Sequence, residues 1–209
     1  MKRLATTASI LFLFTAVLSA QEFSRFTFDG GAGFTKPVGN TGRLLDTGWN
    51  IQGGAGVNFS PYVGVMLQTQ YDRMGVNNFT LNNLGFPGGD LSVFSATIDP
   101  IVHLTPKRNA DVYLIGGGGW YRRNQEFTAP SVATVTAFNP FFGFTLVNVP
   151  SNVVLAQYSV NKPGVNGGLG VSFGKKWGGK FFAEARYHRI IMGDFGHTDY
   201  IPVTFGFRY

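Results

Sequence analysis

Eight ionisable side chains, Arg25, Asp29, Asp72, Asp99, Glu184, Arg186, His188 and Arg208, occupy the polar side of stretches whose alternate residues are apolar. Two chemistries suit such a set. In a narrow interior, carboxylates and guanidiniums have to neutralise one another, because a charge taken out of water must be paired or hydrated. Alternatively, one Arg–carboxylate pair could separate and gate a pore. Spacing does not choose between them. Glu184 and Arg186, two apart, share a face, and Arg25 and Arg208 are expected to join them where the first and last strands meet.

Catalysis by an activated hydroxyl would need a His beside the nucleophile and a carboxylate to orient it. The three histidines are followed two places on by Thr105 (after His103), Ile190 (after His188) and Asp199 (after His197), so none has a Ser at that spacing. No catalytic site is expected, although geometry rather than spacing defines such triads. Asp194, His197 and Asp199 could offer oxygen and nitrogen to a metal, but without Cys or a closely spaced second His they read better as a solvated loop. The glycine runs lack the Gly-Lys-Ser/Thr of a phosphate loop. No cofactor is expected.

The elements that position these residues have period two. In Tyr200–Tyr209, Ile201, Val203, Phe205, Phe207 and Tyr209 share one face while Pro202, Thr204, Gly206 and Arg208 take the other. Similar alternation marks Ser24–Phe34, Gly48–Phe59, Tyr62–Asp72, Leu91–Leu104, Asp111–Arg122, Lys162–Gly174 and Lys180–Ile190. Each is close to the roughly 9 to 11 residues that a tilted membrane strand requires. The facing of the fifth is ambiguous, because Gly116–Gly119 has no side chains to read.

The connections alternate in length. Ser60-Pro61, Thr105–Ala110 and Lys175–Gly179 are tight, whereas Thr35–Thr47, Arg73–Asp90, Arg123–Asn161 and Ile191–Thr198 are mostly longer. Short periplasmic turns and long outer loops are the pattern of an eight-stranded, antiparallel, up-and-down transmembrane β-barrel. A secreted soluble barrel would turn its apolar residues inward. Composition favours lipid: aromatics are 15% and charged residues 13%, about half the share usual in a soluble domain.

Residues 1–20 read as a secretory signal, with Lys2 and Arg3 before an apolar core of nine residues, Ile10–Leu18. That is well short of the roughly 20 that a membrane helix needs. Residues 21–209 then form the barrel domain. They carry 15 Lys+Arg and 11 Asp+Glu, a net +4 and scattered, unlike the dense basic stripe of a nucleic-acid binder. The absence of Cys means that no disulfide framework is used.

Phe181-Phe-Ala-Glu-Ala-Arg-Tyr-His-Arg189 followed by Tyr200-Ile-Pro-Val-Thr-Phe-Gly-Phe-Arg-Tyr209 resembles the last hairpin of OmpA-like eight-stranded outer-membrane β-barrel proteins. Val112–Gly119 is similar to that family's glycine-rich fifth strand, and Asn166–Phe173 to its sixth. The resemblance covers residues 21–209 and implies the outer membrane of a Gram-negative-type cell, with outer-membrane lipids and lipopolysaccharide around the barrel. It further implies that the barrel-assembly machinery reads the aromatic strand Phe205, Phe207 and Tyr209. Peptidoglycan-binding members have a further domain after the barrel, which a chain ending at Tyr209 is not expected to have. Lipid A deacylases and acyltransferases are small barrels too, but the histidine pattern above does not match theirs.

Three expectations concern the surface. The Arg123–Asn161 connection is apolar, with Phe138, Phe141, Phe142 and Phe144; it either extends the hairpin and packs on its neighbours or offers an apolar surface to a partner. Basic Lys107, Arg108, Lys175, Lys176 and Lys180 in or beside tight turns should face the periplasm. Arg189 should lie at the outer rim, free to reach head groups. The expected role is structural or surface-interactive, with a narrow channel for small or apolar solutes as the alternative.

Overall fold

The computed structural model describes residues 24–106, 108–174, 179–193 and 196–209. The signal segment, Lys107, Lys175, Lys176 and Asp194 lie outside the described residues. Eight strands form a closed barrel: β1 (Phe26–Pro37), β2 (Gly48–Asn58), β3 (Val63–Gly75), β4 (Gly88–His103), β5 (Ala110–Asn139), β6 (Gly143–Phe173), β7 (Lys180–Ile191) and β8 (His197–Arg208). Each is antiparallel to the next, and β8 closes on β1 from Asp29↔Arg208 to Pro37↔Tyr200. One short helix, α1 (Asn78–Leu84), follows β3; Asn77 caps it by accepting from Thr80 N–H at 2.8 Å.

The period-two pattern sorts the sheet as read. Phe28, Ile51, Leu67, Ile98, Leu169 and Phe205 point outward, while Asn50, Gln68, Thr97, Asn166 and Thr204 are buried inside. On β5, Asp111, Tyr113, Ile115 and Tyr121 are buried while Val112, Leu114 and Trp120 are exposed, so the strand's facing is fixed through the glycine run. Gly117 is required there: a Cβ would lie 2.0 Å from Ile98 O and 2.6 Å from Asp99 Oδ1. Its bare backbone makes room for a buried carboxylate where the β4–β5 pairing skips from Ile98↔Gly118 to Ile101↔Ile115.

One connection differs from expectation, and another extends its hairpin, as one of its two readings had it. The segment expected as a fourth outer loop, Ile191–Thr198, pairs as Ile191↔His197 and Ile190↔Thr198, so the strands run closer to the reversal than expected. Gly193 and Gly196, at φ 71° and 83°, allow that reversal. The long Arg123–Asn161 connection is itself strand. β5 and β6 stay paired to Asn139↔Gly143, with one register shift at Phe127/Thr128.

Candidate functional site: a filled lumen and an apolar hairpin

Asp29, Asp99, Glu184, Arg186 and Arg208 form one connected network in the half of the lumen farther from the β5–β6 hairpin tip. Arg208 Nη2 donates to Asp29 Oδ2 at 2.9 Å and lies 3.5 Å from Glu184 Oε2. The Arg186 guanidinium meets Glu184 Oε1 at 2.5 Å and Asp99 Oδ2 at 2.9 Å, and also donates to Gln68 Oε1. Tyr113 O–H donates to Glu184 Oε2 at 2.8 Å, Asn166 Nδ2 to Asp99 Oδ1 at 2.8 Å and Thr97 O–H to Asp99 Oδ2 at 2.7 Å. The Arg208 guanidinium also sits 4.6 Å over the Tyr113 ring and 5.0 Å over Phe182. Alternate strand positions place all these groups on the inner face, and the small bore forces them together.

Three expected members lie elsewhere. Arg25 precedes β1, below the level where β8 ends opposite Asp29, and among the described residues it makes no ion pair. Asp72 has neutral partners: it accepts from Thr35 O–H at 2.5 Å and from Gln70 Nε2 at 2.9 Å, and Asn50 and Thr204 extend the chain. His188 lies between tyrosines, its Nδ1 3.2 Å from Tyr121 OH and its ring stacked on Tyr200 at 5.1 Å.

Above these groups the lumen is apolar. Leu45, Met74, Val76, Leu81, Leu91, Val93, Phe127, Ile190 and Met192 pack into one buried cluster with Tyr121 and Tyr200. The α1 region supplies part of this vault through Leu81 and Phe86, whose ring stacks on Phe127 at 4.4 Å. Met74, Leu91 and Val93 are completely buried, so the barrel is filled by its own side chains rather than open.

The outside is a belt without charge. On β1 the outward residues run Phe26, Phe28, Gly30, Ala32, Phe34 before Lys36; on β3, Val63, Val65, Leu67, Thr69, Tyr71 before Arg73; on β7, Phe181, Ala183, Ala185, Tyr187 before Arg189. Aromatic pairs rim both margins, Trp49–Tyr71 and Phe94–Trp120 at the outer one and Phe181–Phe207 at the other. Phe205, Phe207 and Tyr209 all lie on this outward face. Arg189, expected to reach head groups, is instead held by Asp199 at 2.9 and 3.2 Å and by Tyr187 OH at 2.8 Å. His197 Nε2 adds a contact to Asp199 at 3.0 Å.

Beyond the outer rim, β5 and β6 continue alone. β4 leaves β5 at Gly88↔Thr128 and β7 leaves β6 at Gly164↔Ile190. The hairpin does not pack down on neighbouring loops; most of its side chains on both faces are exposed, including Phe138, Phe141, Phe142 and Phe144.

No protein-family model matches this chain, and a comparison with curated proteins finds no match. Among solved structures it is similar to Neisserial surface protein A, at 15% identity over 88% of this chain and 96% of that one, with a TM-score of 0.57. It is also similar to a major outer membrane protein from Thermus thermophilus, at 12% identity over 88% and 97%, with a TM-score of 0.53. The fold is that of an eight-stranded outer-membrane β-barrel. The uncharged belt on this fold makes the chain a protein of the outer membrane.

In this outer-membrane barrel Gln68, Gln70 and Asn166 lie on the polar faces where alternation puts them, whereas the luminal partners Tyr113, on the strand of ambiguous facing, and Thr35, expected in a connection, escaped the sequence reading. Strand parity was the signal that could have found them: each is inward by the same alternation that places the charges. Among the described residues no cluster of His, Cys, Asp and Glu has the arrangement of a metal site.

Proposed function

We propose that this protein is an integral outer-membrane barrel of OmpA-like kind, with a structural or surface-interaction role carried by its outer side and no reaction of its own. One observation carries the reading: the lumen is filled by ion pairs below and an apolar vault above, while the β5–β6 hairpin stands exposed on both faces. The barrel is the anchor and the hairpin the contact. Outward Lys36 and Arg122 at the upper edge of the belt suit the phosphates of lipopolysaccharide.

Planar-bilayer recording tests the reading, because a filled barrel passes no steady ion current. A steady conductance would replace it with the narrow channel. Lipid A mass spectra from cells with and without the protein should be identical; a changed acyl pattern would replace it with an enzyme.

Orientation has its own expected result. A single Cys at Asn82, in exposed α1, should react with an impermeant thiol reagent on intact cells, while one at Arg108, in a turn at the opposite end, should react only after the outer membrane is opened. The reverse order would put the hairpin in the periplasm.

A further inference from the structure

From Phe127 to Asn161 the chain runs 35 residues without a charge, between Glu126 and Lys162. Along β5 and β6 the outward face then shows two apolar zones with a polar collar between them. The first is the belt, Val112, Leu114, Trp120, Val165 and Leu169; the collar is Arg122, Asn124 and Glu126 with Gln157 and Asn161. The second zone is the hairpin tip: Phe138, Phe141, Phe142, Phe144 and Leu146, each between 67% and 89% exposed. The tip repeats the chemistry of the surface that this same barrel presents to lipid.

We propose that the tip of the β5–β6 hairpin inserts into the surface of a second, apposed lipid bilayer. From Arg122 at the upper edge of the belt to Asn139 is 17 residues, roughly 56 Å of extended strand, which carries the tip well clear of the barrel's own head groups. The stalk between is uncharged but wet: Thr128, Ser131, Thr134, Thr136, Asn148 and Asn152 alternate with Ala and Val. Its outer edges have no neighbouring strand, so their free N–H and C=O groups must remain in water, and hydrocarbon would leave them unpaired. At the tip this problem is smallest. The last pairs are Phe138↔Phe144 and Asn139↔Gly143, and Phe141 N–H is satisfied by Asn139 Oδ1 at 2.9 Å. The rings of Phe138 and Phe144 meet edge to face at 5.4 Å, forming a wedge that can enter the boundary between head groups and acyl chains.

A protein partner would be oriented by polar and charged groups at the rim of its interface. This tip offers no charge, and its polar side chains turn to its own backbone, Asn139 Oδ1 accepting from Phe141 N–H and Thr145 O–H donating to Ala137 O; the nearest charged residues in sequence are Glu126 and Lys162. Several like rings on an uncharged ribbon specify an apolar medium rather than a shape.

The proposal rests on the surface-interaction reading and narrows it to lipid. The chain has no Cys, so Pro140→Cys in the full barrel can carry a single environment-sensitive fluorophore, with Ser131→Cys as the stalk control. With the barrel held in lipid nanodiscs, added phosphatidylcholine vesicles should shift the probe at 140 to the blue. Spin-labelled lipid in those vesicles should quench it, and the probe at 131 should stay unchanged. The nanodiscs should float with the vesicles equally at low and high salt. Phe141→Ser with Phe142→Ser should lower that flotation about tenfold or more while leaving the barrel's compact gel form intact, since neither ring touches the barrel. Three results would overturn the proposal: no spectral change, flotation abolished by salt, or flotation unaltered in the double variant. Cross-linking of hairpin to hairpin without vesicle recruitment would assign the tip to a second copy instead. A barrel that passes no current yet ignores vesicles would leave the surface-interaction reading standing and remove this one.

Discussion

Arg186→Ala should destabilise the barrel by about 3 to 5 kcal/mol, the cost of leaving buried charge without its partner. Arg186 is 3% exposed and Asp99 is fully buried, and the guanidinium also holds Glu184 and Gln68. Removing it leaves Asp99 with only the neutral donors Thr97 and Asn166 where water does not reach, and leaves Glu184 with Arg208 at 3.5 Å as its cation. The variant should lose its compact gel form at a clearly lower temperature or denaturant concentration than the parent. Adding Asp99→Asn should restore part of the loss, because the orphaned charge goes with it. Arg25→Ala should melt like the parent, as Arg25 stands outside the network. The vault of Met74, Leu91 and Val93 is untouched by the change, so no ion path should open. If Arg186→Ala melts with the parent, the ion pairs do not hold the lumen.

Strand number and order, and the facing of all strands but the glycine-rich fifth, were legible because one side of a strand meets lipid and the other a polar interior, and that contrast writes itself into alternate residues. Where the contrast ends, so did the legibility. Residues 128–158 are strand, yet water meets both faces, and Ala133, Val135 and Val149 on one side differ little in polarity from Thr134, Val132 and Leu146 on the other. A ribbon with no buried side has no period to read. The fourth outer connection was placed too long for a related reason: His197 and Asp199 read as loop polarity, whereas both lie in β8, where His197 pairs with Ile191 and Asp199 meets Arg189 on β7.

The site was legible in its charges and not in their grouping. Parity placed Asp29, Asp99, Glu184, Arg186 and Arg208 inside, but height along the barrel decides who meets whom, and height follows from register across strands. Asp29↔Arg208 is set by the closure of β8 on β1, and Arg25 falls below it. Asp72 lies higher, among Thr35, Gln70 and Asn50, where it meets hydroxyls and amides rather than a guanidinium. The apolar vault was invisible for a chemical reason. Leu91 and Val93 are the same kinds of residue as the belt's Ile98 and Val102, and only their position on the opposite parity sends them inward.

The last expected result concerns the seam. Phe207 and Tyr209 are 67% and 76% exposed on the outward face, so their rings have no protein core to enter and must be buried by lipid. Tyr209 also closes the barrel, its N–H donating to Phe28 O at 2.7 Å and its carbonyl accepting from Phe28 N–H at 2.8 Å, while Phe207 meets Phe181 edge to face at 5.6 Å. This junction joins the two ends of the described chain and is the most non-local contact in the fold, so it carries the largest ordering cost before any gain is realised. Replacing Phe207 and Tyr209 together by Ser removes two lipid-facing rings, each worth about 1.5 to 3 kcal/mol when fully buried. The same pair stands where the resemblance to OmpA-like barrels puts the strand read by the assembly machinery. The double variant should reach the outer membrane at less than about a tenth of the parent's yield, since each 1.4 kcal/mol is tenfold. Unfolded chain should accumulate in the periplasm at unchanged synthesis. Phe141→Ser with Phe142→Ser, two rings lost from the hairpin instead of the seam, should assemble normally. Equal membrane yields for both pairs would mean that the seam aromatics neither close the barrel nor guide its insertion.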